Sequence, residues 1–170
     1  MEIGYARLDA GSVDQILELQ QRCWAHDKQI FIPSSRALIE RAFQFENFAF
    51  GAFFGGEMAG FITCSVPGHL AKMNLGRHLG FSDGMLDRVG HFNTMIIAPE
   101  HRKKGVGSKL FQMALETFPE RVDRFMTTTR LENALARQLL ESRGFRLEKI
   151  IESGGQPRAI YALEISAADD

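Results

Sequence analysis

Arg102, Lys103, Lys104, Gly105, Val106, Gly107 and Ser108 follow an apolar run that ends at Ile97, Ala98 and Pro99, and they precede a helical pattern. Strand, basic glycine turn and helix, in that order, make a phosphate cradle. The first turn of a helix leaves backbone N–H groups without intrahelical acceptors, and the aligned peptide dipoles place partial positive charge there, so anions bind. Gly105 and Gly107 let the backbone approach a phosphate with no Cβ in the way, while Arg102, Lys103 and Lys104 add full charge at the mouth. Two common nucleotide loops do not fit. A dinucleotide fingerprint needs a third glycine where Leu110 stands, and a Walker loop needs Gly-Lys-Ser/Thr where the order here is Gly107, Ser108, Lys109.

The stretch resembles motif A of the GCN5-related N-acetyltransferase (GNAT) superfamily, Arg/Gln-x-x-Gly-x-Gly/Ala, and Ile97 to His101 match its usual V-x-P-x-x lead-in. Asn133, Ala136, Leu140, Gly144 and Phe145 stand at the spacing of motif B of the same family, N-x2-A-x3-(Tyr)-x3-G-F. Taken singly, each has a plainer reading: Gly105 and Gly107 as an ordinary turn, Gly144 as a helix C-cap. Together, in the right order, the motifs cover roughly residues 90 to 146.

The resemblance implies an α/β fold: a central mixed, mostly antiparallel sheet of about seven strands with flanking helices, the fourth and fifth strands splayed apart. It implies an N-acetyltransferase that moves an acetyl group from acetyl-coenzyme A (acetyl-CoA) to a primary amine of a small molecule or peptide. Main chain of Met95, Ile96 and Ile97, with the loop from Arg102 to Ser108, would hold this co-substrate, and Asn133 and Ala136 would contact its pantetheine arm. The family often places a Glu or His on the fourth strand as base. Here the first polar residue of that strand is His91, and a period of two puts His91, Asn93 and Met95 on one face. An unperturbed imidazole titrates near neutrality, which suits proton transfer; Asn93 would hold a water or the amine. A surface histidine at the strand entry is the plain alternative. Many relatives carry an acidic Tyr where Leu140 stands, and Ser142, His101 and Tyr161 are the remote substitutes. That departure, with the missing strand Glu, keeps a non-catalytic coenzyme A binding or sensing module as the competing class, and transfer of a different acyl group as a weaker one.

With 170 residues, 45% of them apolar, the chain suits one folded domain with a proper core, and its fourteen Phe belong mostly to that core. A net charge of −1 provides no global field for nucleic acid or an anionic membrane, so neither is an expected partner. Cys23 and Cys64 lack knuckle or disulfide spacing and read as buried hydrophobes. His69, His78 and His91 lack metal-ligand spacing, so no metal is expected. Absence of a leader pattern or a spanning apolar run leads to a cytoplasmic expectation. A homodimer stays open.

The elements needed to position these groups follow in order. Ile3, Tyr5 and Arg7 form a short strand. Ser12 with Gln15 has the form of a capping box for a helix ending near His26. Pro33, Ser34 and Ser35 start a second helix through Phe43. Phe48 to Phe54 and Ala59 to Val66 make a hairpin around Gly55 and Gly56. Residues 69–90 form an insertion with one or two short helices between the third and fourth strands, read as a substrate-facing lid. His91 to Ile97, the helix from Val106 to Phe118, Phe125 to Thr129, the Asn133 helix, and a final hairpin of Lys149 to Ile151 with Ala159 to Leu163 complete one domain over residues 1–170.

Overall fold

Left-handed backbone at Gly55 (φ 59°) and Gly56 (φ 86°) turns the chain tightly between two apolar runs, a conformation that glycine adopts without a Cβ penalty. The runs become the antiparallel strands β2 (Phe48–Phe54) and β3 (Glu57–Ser65), and β1 (Gly4–Arg7) pairs antiparallel with β2. The computed structural model describes residues 2–28 and 31–165. These form two compact units: the chain up to Ser65 together with Phe92–Phe118, and Val66–His91 together with the chain from Pro119 onward.

In the first unit both sheet faces are covered, which is why β2 and β3 read as continuous apolar runs rather than alternating ones. Helix α1 (Val13–His26) packs Ile16, Leu19 and Cys23 against Ala49, Phe61 and Ile96. The opposite face carries Phe48, in edge contact with Phe118 at 4.9 Å between ring centroids. Ser12 makes no side-chain cap. Instead Asp9 Oδ1 accepts the Gly11 N–H at 2.8 Å and a 3-10 turn, Ala10–Ser12, leads into α1, so a single Asp9 cap stands in place of the expected capping box. Helix α2 (Arg36–Arg41) starts on a Ser35 cap, as expected, but stops short of Phe43, because the Ala42 N–H reaches back to Ile39 O and Glu40 O and tightens the last turn.

The second unit holds helix α3 (Asp83–Leu86), the start of β4 (Val89–Ile97), β5 (Arg124–Arg130), helix α5 (Ala134–Ser142), β6 (Arg146–Ser153) and β7 (Gln156–Glu164); helix α4 (Val106–Thr117) belongs to the first. Hydrogen bonding orders the strands β1-β2-β3-β4-β5-β7-β6, a seven-stranded mixed sheet in which β4 and β5 are parallel. The recorded β4–β5 ladder is short: Val89, Gly90 and His91 lie opposite Arg124, Phe125 and Met126. The final hairpin is longer than its apolar residues indicate, because β6 is an almost wholly exposed edge strand whose pairing to β7, not its side-chain alternation, defines it.

The insertion is ordered by buried polar bonds. Asn74, fully buried, donates to Gly68 O and Leu86 O at 3.0 Å each and accepts the Gly76 N–H at 3.0 Å. A 3-10 turn, Leu75–Leu79, and α3 supply the short helices. Leu75, Leu79 and Phe81 then cover Val89, Met126 and Ile160 on one face of the unit's sheet. On the other face the phenol of Tyr161 donates to Glu141 Oε1 at 2.8 Å and accepts from Arg137 Nε at 3.1 Å, holding α5 to β7.

Candidate functional site

Beyond β4, Pro99 opens a 3-10 turn, and positive φ at Lys103 (59°) and Gly105 (81°) swings the chain into α4. Gly105 is the N-cap; no side chain caps the helix and its first turn holds no acid. The first-turn N–H groups of Val106, Gly107 and Ser108 have no intrahelical acceptor, as at any helix start, and Gly105 offers no side chain to cap them. A Cβ added at Gly105 meets nothing within 4 Å, and the atoms nearest to one at Gly107 belong to Met95 and Ile97, at 3.6 Å or more. Packing therefore leaves the space over this helix start open, and backbone conformation rather than crowding favours glycine at 105.

Arg102 departs from its expected place at the mouth. Its guanidinium forks onto Asp27, with both N···O distances 2.7 Å, and its Nε donates to Ile97 O at 2.9 Å. This pairing raises the Arg102 pKa and lowers that of Asp27. The charge thus ties the end of α1 to the end of β4, giving Arg102 a positioning role for the loop. Lys104 donates to Glu100 O at 2.8 Å. Arg102→Lys keeps the charge but cannot make the fork, so we expect a loss of about 1–2 kcal/mol, read as a melting temperature lower by roughly 2–8 °C. An unchanged melting temperature would remove this role.

Side-chain partners along β4 reveal a break in phase. Phe92 stacks on Phe111 of α4 at 4.8 Å, and Met95 and Ile97 lie against Gly107 of the same helix. Thr94 lies 3.5 Å from Ser34, which Gln20 of α1 holds through two hydrogen bonds, and Ile96 belongs to the α1 cluster. Strict alternation would set Phe92 and Met95 on opposite faces. Their common partner helix requires one extra residue between them, the signature of a β-bulge at Asn93. The expectation that His91, Asn93 and Met95 share one face is corrected accordingly.

Asn93 is exposed, and its Oδ1 accepts from Ser65 Oγ at 3.3 Å. His91 is 5% exposed, its Nε2 accepts the Leu75 N–H at 3.1 Å, and burial lowers its pKa to about 4. The imidazole is therefore neutral at pH 7, and the lone pair that would take a proton already holds the insertion. The surface strand-entry alternative is equally corrected: the residue is interior. Asn133 caps α5, its Oδ1 accepting the Ala136 N–H at 3.2 Å. Among the remote acids, Ser142 Oγ donates to Leu139 O, and the Tyr161 phenol is fully buried in the bonds described above.

Two features escaped the sequence. Asp27 lies far along the chain from Arg102, and no local pattern links them. Arg130 and Arg158 are directly opposed in the β5–β7 register, which only strand pairing reveals.

The sequence matches the family model described as "Acetyltransferase (GNAT) family" over residues 13–145. The chain belongs to that family, and acetyl-CoA-dependent N-acetyl transfer is the activity membership assigns. The fold is similar to that of the ribosomal-protein-S18-alanine N-acetyltransferase of Escherichia coli, at 19% identity and TM-score 0.72 over 99% of this chain and 97% of that one. It is also similar to Arabidopsis thaliana NAA60, solved in complex with acetyl-CoA, at 14% identity and TM-score 0.73 over 98% and 100%. A third is the PaiA N-acetyltransferase of Thermoplasma acidophilum, solved with coenzyme A, at 14% identity and TM-score 0.67 over 97% and 100%. Comparison with curated proteins returns no match. Among the described residues no helix is long and apolar enough to cross a membrane.

Proposed function

We propose that the protein binds acetyl-CoA with the pyrophosphate on the main-chain N–H groups between Lys103 and Ser108 and acetylates a primary amine of a small molecule or peptide. The uncapped, acid-free start of α4 behind Gly105 carries this reading. Acetyl-CoA supplies the thioester whose carbonyl the amine attacks. Main chain of Met95, Ile96 and Ile97 orients the pantetheine, and Lys103 and Lys104 contribute charge at the mouth. Arg102 acts one step back, by holding the loop to Asp27.

Asn93, set outward at the bulge, is the polar group of β4 that meets the acceptor amine or a water beside it. His91 is the neutral post of the insertion, and deprotonation falls to water or to the acceptor itself. Positioning supplies much of the rate in such a site. Reading the chain as one acetyltransferase domain rests on the family match, which runs through residues of both units. The cytoplasmic setting draws support from two buried free thiols, Cys23 and Cys64. A homodimer remains part of the proposal, and analytical ultracentrifugation tests it.

The decisive experiment is thiol release from acetyl-CoA across a panel of amines, run beside calorimetric titration of coenzyme A. Turnover with any amine supports the enzyme. Tight coenzyme A binding with no turnover on any acceptor supports the sensing module instead. Asn133 is tested separately. Asn133→Asp keeps the cap on Ala136 N–H, so a fall in coenzyme A affinity of about tenfold at unchanged melting temperature assigns it a cofactor contact, whereas equal affinity leaves only the cap.

A further inference from the structure

Arg130 of β5 and Arg158 of β7 are cross-strand neighbours on one sheet face. Like charges directly opposed weaken a sheet, and both side chains are half-buried. Glu132 bonds Arg130 at 2.6 Å and is itself 61% exposed, while among the described residues no ion pair joins Arg158. Thr128 takes one of the five donors of Arg158, at 3.0 Å. Burial and the neighbouring Arg130 both lower the Arg158 pKa, the direction expected where two guanidinium groups confront each other.

Arg130 also lines a cleft of about 230 Å³ with Leu131, Glu132, Gln156 and Pro157, and its Nη2 donates to Gln156 Oε1 at 3.2 Å. In the β5–β7 register, Arg130 and Arg158 share a face with Met126 and Ile160, the insertion side. Asn133 opens α5, which lies on the Tyr161 side. A pantetheine held by Asn133 would therefore leave the arginine face to the other reactant.

We propose that Arg130 and Arg158, with Gln156 at the cleft rim, bind a carboxylate or phosphate carried by the amine acceptor, making this an acetyltransferase for anionic amines. The inference rests on the acetyl transfer proposed above. Guanidinium forks match such oxygens bidentately, and an arriving anion would relieve the opposed charges.

The test follows arginine Nε–H signals by NMR in the whole chain as glutarate, glutaramide or sodium chloride of equal ionic strength is added. Glutarate should shift two arginine signals saturably and the other two solutes should not. Arg158→Gln and Arg130→Gln should each abolish the response. Arg158→Gln should also melt no lower than the parent, since it removes a like-charge pair; a lower melting temperature joined to no glutarate response in the parent marks a merely structural arginine and overturns the proposal. With acceptors paired as acid and amide, glutamate against glutamine among them, the variant should raise KM for the acid about tenfold with little change in kcat. Coenzyme A and dephospho-coenzyme A should bind parent and variant alike. A variant that loses coenzyme A affinity but not dephospho-coenzyme A affinity assigns the arginines to the cofactor phosphate and overturns acceptor recognition. A parent that binds no acetyl-CoA sinks the acetyltransferase reading while the glutarate titration stays readable.

Discussion

Gly105→Val is expected to weaken acetyl-CoA binding by about a hundredfold or more while the chain still folds. Gly105 holds φ at 81°, a region that a β-branched residue occupies only with strain of roughly 1–3 kcal/mol. No atom lies within 4 Å of the added Cβ, so the fold itself meets no collision. The strain is relieved by rotating the turn, and that rotation moves the first N–H groups of α4 off the phosphate. Gly105→Asn is the milder companion, because Asn visits left-handed backbone more readily, and a loss of about tenfold or less is expected. Calorimetric affinity beside a melting curve separates binding from stability. A folded Val variant with parental affinity would end the cradle assignment.

The second large effect is on stability against pH. His91 has its folded pKa pushed from 6.5 down to about 4 by burial. Between those values the unfolded chain binds a proton that the native imidazole refuses, so stability falls as pH drops from about 6.5 towards 4 and is flat on either side of that window. The depressed pKa corresponds to roughly 3 kcal/mol across the window. Asp27, also lowered, acts at more acidic pH, because its ordinary value is 3.8. Urea unfolding at pH 7 and pH 4.5 should show the loss in the parent and little of it in His91→Gln. At pH 7 the variant should already be weaker by about 1–3 kcal/mol if the Leu75 N–H loses its acceptor. Parallel pH curves for the two proteins would show that His91 is not the group responsible. The same burial bears on catalysis: a rate limb belonging to His91 would fall near pH 4, and a limb near neutrality reports another group.

The turn that opens α4 was legible because it is local. Positive φ at Gly105, the uncapped start of α4 and the apolar Met95, Ile96 and Ile97 lie within a short stretch, where glycine, charge and periodicity carry the physics directly. The same holds for the β2–β3 hairpin. Motif order then sufficed to name the family.

What stayed hidden depends on residues far apart in the chain. Arg102 reads as a phosphate ligand until Asp27, at the end of α1, claims its fork. His91 reads as a solvent-poised base until the insertion covers it and Leu75 N–H occupies its nitrogen. A period of two predicts one face for His91, Asn93 and Met95, and the bulge cancels it, since a bulge is set by what packs on either side of the strand and leaves no mark in local composition. Arg130 and Arg158 become a pair only through the β5–β7 register. The sequence by itself determined the class of protein, the glycine turn that opens α4 and the order of the elements, because these rest on local backbone preferences. Tertiary structure alone decided which charges are already partnered, which histidine is buried and which arginines confront each other, because desolvation and charge pairing depend on distance in space rather than along the chain.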